Sequence, residues 1–385
     1  MSAFAEFHDE LRSVARELLG KVGDGPVPWE VVSQAGWPGL AVPEEFDGAG
    51  AGVAEVAVLL TEVGRAAART ALPSVLALSV PALLAVGGDA LRDEVLRAVV
   101  QGRRVPVVVL GSDPPAPGSA SGRPEFAGVR LEDAGSGGGG AARRPEAPLS
   151  GPEAALSGPE AAFRLEGGRV TGAAHLVLDA PTAELLLIPA RDADGDMVLA
   201  AVDPDAVTCT PVPLVDATRT VGSITADGAE PRAVWRFETP IALGARAALA
   251  TACDALGIAQ AMLDATVAYV RVREQFGRPV GSFQAVKHAC ADMLVRVTVA
   301  GHLVAEAVRA LESSAPGAEI SAGMAKSYAT EAAVAVAGSA MQLHGGYGYT
   351  WESGIHTYLK RATLDRALYG TPAAHRRTLA ARYRG

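Results

Sequence analysis

The sequence predicts an α+β chain in three parts: an N-terminal α-helical domain (1–104), a middle β-barrel or sandwich domain (105–238) and a C-terminal four-helix bundle (239–385). Three observations carry this. Apolar residues recur at helical spacing up to about Val100, short β-branched runs cut by glycine turns follow, and from Pro240 the text returns to long alanine-rich helices. The 385 residues, 49% of them hydrophobic, are enough for two or three sizeable cores. Aromatics make up only 5%, so the cores are expected to close through small side chains.

In the first part, Phe7, Leu11, Val14 and Leu18 are expected on one helix face, and Val56, Leu59, Leu60 and Val63 on another. Between these helices the run from Gly36 to Gly50 interleaves glycine, proline, Trp37 and Phe46, and reads as a rigid helix–helix connection. The most apolar stretch, Leu72 to Val86, is too short to cross a hydrocarbon layer of about 30 Å and contains Pro73 and Pro81, so no membrane span is expected. Met1 to Leu19 lacks the basic-then-apolar order of a signal peptide, which suits a cytoplasmic location.

The second part opens with the β-branched run Val105 to Leu110. A Gly/Pro/Ser-rich insertion follows at about 111–162, with Gly137 to Gly140 and a tandem copy, Leu149 to Ala155 and Leu156 to Ala162. No core is expected from it. Strands are expected at Phe163 to Leu165, Arg169 to Thr171, Glu184 to Pro189, Met197 to Val202, Val207 to Pro211, Gly222 to Ala226 and Ala233 to Phe237. Turns at Gly167-Gly168, Asp194-Gly195-Asp196 and Asp227-Gly228 separate them.

In the third part, Leu249, Cys253, Leu256, Leu263, Val267 and Val270 form one stripe, and Pro279-Val280-Gly281 interrupts before Ser282, expected to cap the next helix. Ala329, Ala332, Ala333, Ala335, Ala337 and Ala340 let helix backbones approach closely, and such bundles often oligomerise.

Charge and cysteine use narrow the partners. Against 43 Asp+Glu stand 34 Lys+Arg, a formal charge of -9, with no basic run to track a phosphate backbone, so nucleic acid is excluded as the expected partner. Cys209, Cys253 and Cys290 are odd in number and widely spaced, which makes neither a disulfide framework nor a metal cluster.

Two glycine-bearing helix corners stand out: Arg273 to Gln284 (REQFGRPVGSFQ) and Gln342 to Thr350 (QLHGGYGYT). Glycines there let phosphates approach backbone N–H groups, and a guanidinium can clamp a pyrophosphate. Together, in this α–β–α order, they resemble the acyl-CoA dehydrogenase family across nearly the whole chain. Trp37-Pro38-Gly39-Leu40, Pro43-Glu44-Glu45 and Thr61-Glu62-Val63-Gly64-Arg65 resemble that family's N-terminal pattern. The resemblance implies an FAD-dependent α,β-dehydrogenation of an acyl-CoA thioester, with electron-transfer flavoprotein as acceptor. It carries flavin contacts, often made across a subunit interface, to Arg273, Phe276, Gln284, Gln342, Gly345 and Gly346, and to Thr371 in Gly370-Thr371.

That reaction removes an α proton while hydride leaves the β carbon for flavin N5, and it needs a carboxylate base. The family's two base positions fall here on Ala247 and Tyr369. An alanine accepts no proton, and a tyrosine is a far weaker base at neutral pH. Two further departures concern the chain's own flavin half. Gly111-Ser112-Asp113-Pro114-Pro115 displaces the family's flavin loop, and Leu176-Val177-Leu178-Asp179 replaces its Trp-Ile-Ser/Thr strand.

Thr350-Trp351-Glu352 with His356, Tyr358, Lys360 and Arg361 also resembles an actinobacterial-type branch whose members often serve as the base-less chain of α2β2 dehydrogenases acting on bulky acyl-CoA esters, steroid side chains included. The resemblance therefore implies a Glu-bearing partner subunit, with a homo-oligomer as the other arrangement. Glu352 and His356, four apart, could share a helix face as a substitute acid/base pair, although a structural pair is the commoner meaning of that spacing. His344 is expected to position its loop, and Lys287 and His288 to reach solvent. Alternative readings are an acyl-CoA or acyl-carrier binding or scaffold protein, or a non-redox biosynthetic enzyme on the same fold.

Overall fold

The computed structural model describes residues 3–22, 25–112 and 162–383, so most of the Gly/Pro/Ser-rich insertion lies outside the described residues. The N-terminal part holds α1 (Ala3–Val22), α2 (Trp29–Gln34), α3 (Val53–Arg65), α4 (Leu72–Ser74), a π turn (Val75–Ser79) leading into α5 (Val80–Leu84), and α6 (Ala90–Val100). Gly36 to Gly50 is the expected connection, folded into two 3-10 turns around buried Trp37 and Phe46.

Helix α1 buries a different stripe from the one its sequence suggests. Phe7 and Val14 are 45% and 46% exposed, whereas Ala15 and Leu19 are buried. The cause is the partner: α3 presents acids to α1, so His8 meets Glu55 at 2.6 Å and Arg16 meets Glu62 at 2.8 Å. The expected face of α3 is buried throughout.

The middle part is a mixed sheet: β1 (Pro106–Val108), β2 (Phe163–Glu166), β3 (Arg169–Leu178), β4 (Leu185–Arg191), β5 (Met197–Val202), β6 (Thr208–Pro211), β7 (Val221–Ala229) and β8 (Ala233–Arg236). Its order is β6-β7-β3-β2-β4-β5-β8, with β1 parallel to β4. The path ends at β6 and β8 without joining them, so the expected barrel or sandwich is an open sheet. Strand β4 is buried on both faces: Leu185 and Leu187 join the helical core, and Leu186 and Ile188 a second cluster with Val107 and Phe163. Asp227-Gly228 is not a turn. Gly228, with φ 72°, is the extra residue of a bulge inside β7, between the pairs Val170–Ala229 and Thr171–Asp227.

The C-terminal part contains α7 (Leu243–Val272), α8 (Gln284–Glu312), α9 (Ala318–Leu343), α10 (Ile355–Ala367) and α11 (Pro372–Arg382), with a two-strand hairpin, β9 (Glu274–Gln275) and β10 (Arg278–Pro279), after α7. Helix α9 packs against the other four helices through buried alanines. Helices α3 and α7 meet backbone to backbone, because a Cβ on Gly257 would lie 1.9 Å from the Thr61 carbonyl oxygen. Helix α7 is long and apolar enough to cross a membrane, yet it is packed by α3, α8 and α9. Ser282 does not cap α8: a 3-10 turn at Val280–Ser282 leaves Phe283 at the cap position and the Ser282 hydroxyl without a partner.

Candidate active site

The two glycine corners come together at one end of α7. Beyond Val272 the chain reverses through Phe276 (φ 54°) and Gly277 (φ 74°), the paired left-handed conformation of a tight two-residue hairpin, which leaves Phe276 89% exposed. Phe276 meets Phe283 edge-on at 6.1 Å, and the Arg278 guanidinium lies 4.1 Å from the Phe283 ring. Tyr269, in the last turn of α7, stacks on His344 at 4.3 Å, and its hydroxyl donates to the His344 carbonyl at 3.3 Å. His344 thus positions its loop, as expected. Gly348 is fixed there too, since a Cβ would sit 2.3 Å from the Met341 carbonyl oxygen.

Both corners leave open what a nucleotide needs. Gly345 and Gly346 have nothing within 4 Å of where a Cβ would stand, Arg273 has no side-chain partner among the described residues, and Gln284 is exposed. The exposed Gln342 side chain accepts from Tyr349 at 3.3 Å. These groups fit a phosphate-bearing cofactor held against the outside of this chain. Thr371 is also exposed, and its hydroxyl oxygen accepts from Ala374 N–H at 3.3 Å to cap α11.

Ala247 and Tyr369 line one cavity of about 20 Å³, with Ser74, Leu178, Arg219, Thr251 and Asp365 among its walls. That is room for about one water, not for a flavin ring or a thioester. The Tyr369 N–H donates to the Ser112 hydroxyl at 2.7 Å, and its carbonyl accepts from His375 Nε2 at 3.1 Å. Burial and the nearby Asp179 push the Tyr369 phenol's pKa up, further from service as a base at neutral pH. Lys326, fully buried, donates to the carbonyls of Arg366 and Gly370 and so ties down the same turn; burial lowers its pKa to about 8.

Behind this cavity lies a buried ionic network that the sequence reading did not anticipate. Arg361 grips Asp254 with Nε–Oδ2 at 2.8 Å and Nη2–Oδ1 at 2.6 Å, and donates through Nη1 to the Ala68 carbonyl at 2.8 Å. Arg219 reaches the same carboxylate at 2.8 Å. Burial alone would raise the Asp254 carboxyl, but the two guanidinium charges outweigh it and hold its pKa well below the usual range. Asp365 is the opposite case, raised well above its usual value by burial and then by the Asp254 charge. Asp179 is raised by burial as well, although the Ser74 hydroxyl donates to it at 2.6 Å. The available signal was Asp254 itself, an acid inside an otherwise apolar helix stripe, which only ion pairing could keep buried.

Glu352 and His356 do not share a helix face. Glu352 sits in an exposed 3-10 turn, Trp351–Ser353, and Gly354 (φ 65°) breaks the chain before α10 carries His356. Its carboxyl pKa is lowered by the backbone hydrogen bond it accepts, and His356 instead meets the Trp351 ring edge-on at 4.4 Å. Lys287 and His288 are exposed, as expected.

Comparison with known proteins matches this architecture. A family model described as acyl-CoA dehydrogenase, N-terminal domain, matches residues 3–103, and the corresponding C-terminal domain model matches 245–383. Acyl-CoA dehydrogenase IpdE2 of Mycolicibacterium smegmatis is 30% identical over 99% of this chain and 96% of its own length. Acyl-CoA dehydrogenase FadE34 of Mycobacterium tuberculosis is 33% identical over 84% of this chain, which spans only 37% of that protein. Among solved structures, a Tcur3481-Tcur3483 steroid ACAD variant superposes with TM-score 0.77 at 27% identity, covering 99% of both chains. The ChsE4-ChsE5 complex from Mycobacterium tuberculosis superposes with TM-score 0.78 at 23% identity, over 97% of this chain and 96% of that one, a likeness of fold.

Proposed function

Because this chain belongs to the acyl-CoA dehydrogenase family, we propose that it is a subunit without a catalytic base, completing the FAD site of a heteromeric enzyme that dehydrogenates acyl-CoA thioesters. One observation carries this reading: Ala247 and Tyr369 line a single cavity too small for substrate, and neither is a carboxylate. The family is FAD-dependent, and bound FAD supplies the hydride acceptor. Arg273, Phe276, Gln284, Gln342, Gly345, Gly346 and Thr371 are the residues of this chain that would hold the cofactor, from outside, against a partner's pocket. Proton abstraction then falls to a Glu-bearing homologue. The likeness to the Tcur3481-Tcur3483 steroid ACAD and, in fold, to the ChsE4-ChsE5 complex supports an α2β2 partner and a bulky acyl group. Electron-transfer flavoprotein as acceptor and a cytoplasmic setting complete the reading.

Expression of the chain alone and together with a Glu-bearing homologue tests it. Little flavin and no turnover alone, with both gained on co-expression, is the expected result. A yellow homomer that dehydrogenates acyl-CoA at full rate overturns it.

A second reading, a self-sufficient enzyme with an unassigned carboxylate, is favoured by one observation. Asp365 is a buried carboxyl of raised pKa on the wall of the same cavity. Asp365→Asn would abolish turnover of the lone chain in that case, and unchanged turnover would exclude it.

A further inference from the structure

A second cavity among the described residues is larger than the first. It encloses about 340 Å³ between α3, the π turn with α5, and the start of α7, and it shares only Ala250 with the cavity of Ala247 and Tyr369. That volume lies within the range of about 300–1,000 Å³ of small-molecule sites. Its walls are apolar side chains, Val56, Leu60, Leu76, Val80 and Leu249 among them. One cation breaks this pattern. Arg246, half-buried, lines the cavity one turn inside α7 and makes no ion pair or side-chain hydrogen bond among the described residues. By contrast, the buried guanidinium groups of Arg219 and Arg361 both pair with Asp254.

A cation left without a partner beside an apolar chamber is matched by a ligand that brings both the anion and the hydrocarbon. We propose that this cavity binds a hydrophobic carboxylate, its chain lying among Val56, Leu60, Leu76 and Val80 and its head paired with Arg246. A single guanidinium, with no second cation on the cavity wall, suits a monoanion better than a phosphate dianion. The absence of a carboxylate near Arg246 also explains why burial lowers its pKa with nothing to oppose it.

The experiment titrates decanoate, decanol and decanoyl-CoA into the purified full chain by calorimetry, with and without Arg246→Gln. Decanoate is expected to bind at least about tenfold more tightly than decanol, the worth of one charge-assisted hydrogen bond, and to lose the same factor in Arg246→Gln. Decanoyl-CoA, which has no carboxylate at the chain end, should not displace decanoate. Equal binding of decanol and decanoate, decanoate binding unchanged in Arg246→Gln, no decanoate binding at all, or displacement by decanoyl-CoA each overturns the proposal. The decanol comparison uses the unaltered chain and stands even if the variant fails to fold. Neither flavin nor turnover is read, so this result is independent of the partner-subunit reading.

Discussion

Ala247 on α7 and Tyr369 just beyond α10, far apart in sequence, line the same cavity of about 20 Å³. Two positions that resemblance nominates separately are thus one place in the fold. Ser74, Asp365 and Arg219 wall that place, and Arg219 is paired with Asp254.

Tyr369→Phe in the co-expressed complex is expected to leave kcat within about twofold, because the phenol accepts no proton near neutrality and makes no described hydrogen bond; a tenfold loss, about 1.4 kcal/mol, would show the hydroxyl at work in the reaction. Steady-state kinetics with acyl-CoA decide it.

Asp254 and Asp365 should respond oppositely to the same change. Asp254→Asn strands two buried guanidinium groups and should cost about 3–5 kcal/mol of unfolding free energy. Asp365, its carboxyl raised and so protonated more readily than most, should tolerate Asn at a cost of about 1 kcal/mol or less. Urea denaturation of both variants checks the pair, and an equal loss in each would contradict the assigned directions.

Lys326 gives a pH dependence of definite sign. Its folded pKa is lowered to about 8, against an unfolded value of about 10.4. Between those values the unfolded chain holds a proton that the folded chain has released, so this residue makes stability rise with pH, at no more than about 1.4 kcal/mol per unit. Below pH 8 both states are protonated and the slope vanishes. Lys326→Met should remove this rise in chemical denaturation between pH 8 and 10, whatever it does to stability overall.

Arg273→Ala and Phe276→Ala alter exposed side chains, and each should change unfolding free energy by about 0.5 kcal/mol or less. Under the proposed division of labour, flavin content of the co-expressed complex falls in both. Flavin absorbance per complex, read beside the melting temperature, separates a cofactor contact from a folding defect.

Gly257→Ala should be disproportionately harmful for so small a change. The new methyl would meet the Thr61 carbonyl oxygen at 1.9 Å, and prying α3 from α7 should cost about 1–3 kcal/mol. Thermal melts of this variant against Gly301→Ala, where a Cβ meets nothing within 4 Å, isolate the contact.

Local pattern settled much of this molecule before any fold was known. The continuous apolar run Met197 to Val202, bounded by turn residues, defines β5 to the residue, and the alanine run of α9 foretells its close packing against other helices. The glycine corners at Phe276-Gly277 and Gly345-Gly346 were legible for the same reason: turn chemistry depends on neighbours in sequence. Tertiary structure decided what depends on neighbours in space. The stripe of α1 shifted because Glu55 and Glu62 on α3 pair with His8 and Arg16. Gly228 became a bulge because β3 and β7 needed a register change, and Glu352 parted from His356 at a left-handed Gly354. Of the ionic network only Asp254, an acid within an apolar stripe, left a trace in the sequence, and its partners did not. Arg219, Asp254 and the α10 pair Arg361 and Asp365 come from three separate segments, and a buried charge is stable only once the chain has folded its counter-ion against it.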